Sequence, residues 1–353
     1  MLRTTRLMVV LWLLMAGLIW GQEHGTFTVG TAKAARGQKA VGVLEVPAGV
    51  DEGTPIPVVV VHGSRPGPVL ALVSGSHGTE YASIIAVEKL ITKLDPREVS
   101  GTVILLPLVN LASFEQKVPH LNPVDKKSMN RFYPGKKDGT QTDRASYWIT
   151  KEVVEPSDYL IDYHGGDLDE NLRPYSYWVK TGNEKLDAKT HDMVLAFGLD
   201  HIIITTDRPQ DPAASRFLDN TAITRGKAAL AVEAGYAGTV DPTDVRALVE
   251  GTLNVMRYLK MLPGPAPFVE HPVWFEKIVT VSSDQTGIFY PTVQRGSYVA
   301  TGMKIGCVTD FANQKEYEVR ASAAGVITYI CAVPSMNKGD TVANIGVVAA
   351  ESR

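Results

Sequence analysis

The run "PVLALVSG" followed by "TEYASIIAVEKLITKL" constrains this chain most strongly. A solid apolar stretch breaks at glycine and passes directly into an amphipathic, helix-like stretch. The pattern then recurs. "GTVILLPLVN" leads into a long polar loop, and "SDYLIDYHGG" comes next. "EKLDAKTHDMVLAFGL" reads as a helix before "DHIIITT". "AALAVEAGYAG" precedes "DPTDVRALVEGTLNVMRYLKML", a helix with Asp and Pro at its start. Solid apolar runs that alternate with amphipathic helices predict a mostly parallel or mixed sheet covered by helices on both faces. The short β-prone runs "AVGVLEV" and "PVVVVHG" precede it, and this α/β domain is expected to span 23–262.

"PGPAPF" (263–268) is a proline-rich joint, and the texture changes after it. Residues 272–350 carry short alternating runs, many glycines and no convincing helix. "TGIFYPTVQRGSYVATGMKIGCV" and "AGVITYICAVPSMNKGDTVANIGVV" echo each other as strand, loop, turn, strand. They predict a small all-β domain of two similar halves.

The N-terminus reads differently again. Arg3 and Arg6 precede the apolar stretch Leu7–Trp20, then Gly21-Gln22. A basic start and an apolar run shorter than the ~20 residues of a spanning helix predict a secretory signal peptide over 1–22. The mature protein is then expected to be exported, periplasmic or secreted, with no membrane partner. Export permits Cys307 and Cys331 to pair, although two buried free thiols fit equally. At 353 residues, with 44% hydrophobic and 21% charged residues, the chain is a folded globular protein of one large and one smaller domain. A net charge of −3 without a Lys/Arg cluster gives no reason to expect nucleic acid.

Ligand sites in open parallel sheets form at the carboxyl ends of strands. Three apolar runs end in candidates: His77 and Glu80 after "PVLALV", Asp162 and His164 after "DYLI", and Glu233 after "AALAV". Any one of these residues alone is more often structural. Two His and one Glu together are a ligand set for catalytic zinc with an open fourth position. Zinc brings the pKa of a bound water to ~7 and polarises a carbonyl. Glu233 is then the candidate general base and proton donor, with partial burial raising its pKa. Asp162 is a candidate partner of His164. The loop "NPVDKKSMNRFYPG" (122–135) adds Asn130 and Arg131, and a guanidinium can grip a carboxylate through two parallel hydrogen bonds.

"GSHGTE", "MNRFYPG", "DYHGGDLDENLRPY" and "AVEAGYAG", in this order, resemble the motifs of the succinylglutamate desuccinylase/aspartoacylase family. The resemblance runs from about residue 30 to the C-terminus. It implies a zinc carboxypeptidase-like fold with a C-terminal barrel-sandwich domain. It implies one zinc on His77, Glu80 and His164, with Glu233 as general base and Asn130 with Arg131 on a substrate carboxylate. The barrel-sandwich is similar to biotinyl and lipoyl domains, but the hairpin that would carry a modified lysine reads "SAAGVI". Met129 and Ser128 stand where the family has Leu and Asp. Where many relatives carry an arginine that polarises the scissile carbonyl, this chain has His120 in "HLNPVD". His120 is therefore expected to help catalysis, with nearby metal charge lowering its pKa. Lys117, Lys126 and Lys127 are the substitutes.

The implied activity is hydrolysis of an N-acyl amino acid or a similar small carboxylate-bearing amide. A carboxypeptidase acting on short or cell-wall peptides, a non-catalytic ligand-binding relative and an export-system adaptor are the competing readings. A cleft closed by residues 272–350 favours the deacylase. A homo-oligomer is compatible with the sequence.

Overall fold

A computed structural model describes residues 25–350 of the chain. Residues 1–22, expected from sequence to be a signal peptide, lie outside the described residues. Twelve strands form one mixed sheet. From one edge the order is Gln38–Val46, Thr54–His62, Ser100–Leu106, Arg65–Ser74, Tyr159–His164, Ala228–Tyr236, Glu170–Val179 and His201–Thr205. Val273–Ser282, Thr341–Val348, Gly325–Cys331 and Tyr298–Val299 continue it. The centre is parallel: Arg65–Ser74 pairs that way with both Ser100–Leu106 and Tyr159–His164, which pairs in parallel with Ala228–Tyr236. Glu170–Val179 enters antiparallel, so the sheet is mixed rather than mostly parallel.

The solid apolar runs are explained by burial on both faces. Val59, Val61, Leu70 and Leu72 point into one core, with residues of the helices Tyr81–Lys93, Glu184–Phe197 and Pro242–Tyr258. Val58, Val60, Ala71 and Val73 point into the other, with Ala145, Ile149, Leu218, Ala222 and Ile223. Alternate residues of one strand thus serve opposite cores. Truncating a fully buried side chain such as Leu70 to Ala should cost about 2–5 kcal/mol. Two of these helices start on capping side chains: Asn183 accepts from Leu186 N–H, and Asp241 accepts from Thr243 N–H. The region read from sequence as a long polar loop also holds the helices Leu111–Gln116 and Gln141–Ile149.

The proline-rich joint does not interrupt the sheet. Val273–Phe275 pair in parallel with His201–Ile203, and Gly325–Cys331 also pairs with Glu170–Val179 through Tyr329 and Leu172. Five strands therefore close into a ring that the two regions share. The two similar halves are visible in the pairing. Each half is strand, short strand, strand, and the short strand of each hydrogen-bonds the first strand of the other. Cys307 and Cys331 are buried free thiols, and no disulfide joins them. No helix among the described residues is long and apolar enough to cross a membrane.

Candidate active site

The strand Arg65–Ser74 ends in Gly75, whose φ of +74° suits glycine and turns the chain sharply. His77 falls in this turn, and Glu80 sits at the N-cap of the helix Tyr81–Lys93. On the neighbouring strand of the sheet, His164 ends Tyr159–His164, in register with Glu233 on the parallel strand Ala228–Tyr236. Register partners point to the same face, so His164 and Glu233 share one side. Asp162 lies two residues before His164 and shares that face as well.

The side chains converge. His77 Nδ1 lies 2.6 Å from Glu80 Oε1, and His164 Nδ1 lies 3.0 Å from Glu80 Oε2. The candidate ligand atoms of His77, Glu80 and His164 all lie within 4.8 Å of one another. Gly165 N–H also donates to Glu80 at 3.2 Å. Burial pushes the Glu80 carboxyl up, but His77 and His164 outweigh it and pull its pKa down to about 2. Glu80 is thus a carboxylate with two imidazoles turned toward it, a donor set that suits a zinc-type ion.

The remote ring nitrogens are held too. His164 Nε2 lies 3.2 Å from Asp162 Oδ1, and no hydrogen-bond donor otherwise meets this buried carboxylate. Asn130 Nδ2 is 2.8 Å from the same nitrogen, while Asn130 Oδ1 accepts from Leu218 N–H at 2.8 Å. His77 Nε2 lies 3.1 Å from Ser128 Oγ. Asn130 therefore braces the cluster, and it also lines the cavity beside Arg131.

A cavity of about 700 Å³ opens on the cluster. His77, His164 and Glu233 line one part of it, and Arg131, Arg208 and Arg216 another. Burial pushes the Glu233 carboxyl well above the usual range; Glu80, Glu170 and Asp162 push the same way, and His164 opposes them. The three guanidiniums gather on one ring, Phe217, at 4.8, 3.7 and 5.8 Å from its centroid for Arg131, Arg208 and Arg216. Burial and the two neighbouring cations pull the Arg131 guanidinium below its ordinary range. Tyr177, Asp219 and Lys277 complete the wall. None of Arg208, Arg216, Tyr177, Asp219 and Lys277 is picked out by the sequence motifs. Arg208 follows the strand His201–Thr205, so the strand-end rule, applied to "DHIIITT" as well, would have found it.

His120 corrects an expectation. It lies behind the cluster, its ring 6.2 Å from that of His77, and faces a second cavity of about 340 Å³. Its Nδ1 is 3.2 Å from Asp167 and its Nε2 3.1 Å from Asp169. Burial lowers its pKa, but Asp169, Asp167 and Glu170 overcome that and raise it to about 9. It is a held cation near neutral pH, not one half lost there. Lys117, Lys126 and Lys127 do not line the main cavity, and Lys127 is bound to Asp143 at 2.6 Å.

This fold and donor set define a class, and comparison with known proteins gives the family. Residues 66–259 match the succinylglutamate desuccinylase/aspartoacylase catalytic domain, and the chain belongs to that family. It is 28% identical over 317 residues to the N-alpha-acetyl-L-2,4-diaminobutyric acid deacetylase of Halomonas elongata, covering 87% of this chain and 91% of that one. A succinylglutamate desuccinylase/aspartoacylase structure from Rhodobacter sphaeroides superposes with a TM-score of 0.78 at 25% identity, over 89% of this chain and 96% of that one. The product-bound ectoine utilization protein EutE (DoeB) of Ruegeria pomeroyi superposes with a TM-score of 0.81 at 22% identity, over 92% and 100%.

Proposed function

We propose that this protein is a zinc-dependent amide hydrolase that removes the acyl group from an N-acyl amino acid or a similar small amide bearing a carboxylate. One observation carries the reading: His77 and His164, which converge with Glu80, line a cavity whose wall carries three guanidiniums. Both the family and the deacetylase relative support it. His77, Glu80 and His164 would hold the metal in a zinc carboxypeptidase-like arrangement. When bound, zinc would acidify water and polarise the amide carbonyl.

The chain's own residues supply the rest. Arg131 offers two parallel N–H groups to the substrate carboxylate and so fixes the amide against the cluster. Glu233, half-buried on the same face as His164, takes a proton from the attacking water. A C–O bond forms as the C–N bond breaks, and the proton passes from Glu233 to the leaving nitrogen. The raised affinity of Glu233 for a proton suits both transfers.

Glu276, Lys277 and Ile278, from the strand Val273–Ser282, close one side of the cavity. This wall limits substrate length and favours a small N-acyl amino acid over a longer peptide. Export, on the strength of the basic and apolar N-terminal segment, belongs to the same proposal. The test is metal analysis of the purified protein, then a panel of N-acyl amino acids with and without chelator. One equivalent of zinc and chelator-sensitive release of a free amino acid are expected. Turnover that survives complete metal removal would overturn the reading.

A further inference from the structure

The two histidines of the cluster are backed unequally. His164 has the Asp162 carboxylate 3.2 Å and the Asn130 amide nitrogen 2.8 Å behind its Nε2. His77 has only the Ser128 hydroxyl, 3.1 Å behind its Nε2. We infer that Ser128 is the positioning residue of His77, and that its neutral hydroxyl sets the affinity of the site for its metal below what a carboxylate there would give. The inference rests on the metal-dependent reading above.

A second observation supports the assignment. Ser128 occupies the N-cap of the short 3-10 turn Met129–Arg131, a position where serine usually accepts from a backbone N–H of its own turn. Its side chain makes no such bond. The hydroxyl faces His77 instead. The backbone of the turn is closed without it, through Arg131 N–H to Ser128 C=O at 3.0 Å. The same turn places Asn130 at His164 and Arg131 at the cavity wall. Residues 128–131 thus brace both imidazoles, and Ser128 is the only one of them that touches His77 through its side chain among the described contacts.

The chemistry follows from which nitrogen does what. Nδ1 of His77 faces Glu80, so a metal held there would leave the proton on Nε2, toward Ser128. An Nε2–H donated to a carboxylate makes the imidazole a stronger donor and fixes its ring; a hydroxyl does this less. His77 is therefore backed less firmly than it would be by a carboxylate.

Zn²⁺ affinity measured by competition with a chromogenic chelator tests this, with activity left out. Ser128→Ala should weaken binding on the order of 10-fold, the lower end of the usual effect of such outer partners. Ser128→Thr should restore most of it, and Ser128→Asp should bind more tightly than the wild type. In the Co²⁺-loaded protein, the paramagnetically shifted Nε2–H of His77 should exchange with solvent faster in Ser128→Ala than in the wild type. Melting of the metal-free variants checks the fold, and the Ala and Thr variants decide the question if the Asp variant is unstable. Ala and Asp variants that both bind zinc within twofold of the wild type would overturn the inference. A wild type that binds no zinc would instead remove the metal-dependent reading, and this inference with it.

Discussion

The His77–Glu80–His164 cluster and the guanidinium wall lie at one cavity but are built on opposite electrostatic plans. In the cluster each group answers another: Glu80 faces two imidazoles and a backbone N–H, and each imidazole is held from behind. On the wall, three cations share Phe217, and the nearest carboxylate among the described residues is Asp219, 3.9 Å from Arg208. Bringing like charges together is unfavourable unless an anion joins them, and Arg131 and Arg216 are exposed and so open to one. The cluster is organised to receive a cation and the wall to receive an anion. Variants of each should therefore fail in different ways.

The largest effect is expected in the cluster. His164→Ala should abolish stoichiometric zinc binding and reduce turnover to background; a variant that keeps one equivalent of zinc would exclude His164 as a ligand. Glu233→Gln is next. It should retain the metal and lose kcat on the order of 10²–10⁴-fold, the usual share of general acid–base catalysis. Near wild-type turnover would reduce Glu233 to an ordinary strand-end residue. The wall should respond through KM. Arg131→Lys and Arg208→Ala should each raise KM on the order of 10-fold with metal content unchanged, since a charge-assisted hydrogen bond is lost and lysine cannot copy the fork. Loss of metal in either variant would erase the distinction between the two halves of the site.

What the sequence disclosed follows the same division. His77, Glu80, His164 and Glu233 sit at the ends of apolar runs, where local pattern and sheet geometry coincide, and the structure brings them together. Arg208, Arg216 and Asp219 reach the cavity from the segment between His201–Thr205 and Ala228–Tyr236, which carries no repeating pattern. Their proximity to Arg131 depends on tertiary contacts with Phe217, about ninety residues along the chain. The bracing role of Asn130 was hidden for a similar reason: an amide beside an arginine reads as a substrate contact, and only the fold shows that it also bonds His164 and Leu218. The helix Gln141–Ile149 was missed although Thr140 and Asp143 form a capping box, because the polar residues around it mask its apolar stripe. The two-fold echo of the C-terminal region was legible, but not the exchange of short strands, nor the continuation of the sheet into it.

The smallest expected effect concerns His120, which belongs to neither half. Its two ring nitrogens lie against Asp167 and Asp169, and its pKa in the folded protein is about 9. An unfolded histidine titrates near ~6.5. The folded state therefore binds the proton more tightly. The stabilisation is fully present below about pH 6.5, falls as pH rises, and is lost once pH passes the folded value. His120→Gln keeps the size of the side chain and removes the titration. The melting temperature of the wild type should exceed that of the variant at pH 6, and the two should converge by about pH 10. The side chain is 40% exposed, so solvent screens the pairing. The gap should be modest, on the order of 1–2 °C. Measuring both proteins in chelator keeps metal binding out of the comparison. A gap that is constant across this range would show that the His120 side chain stabilises the loop by packing and not by its charge.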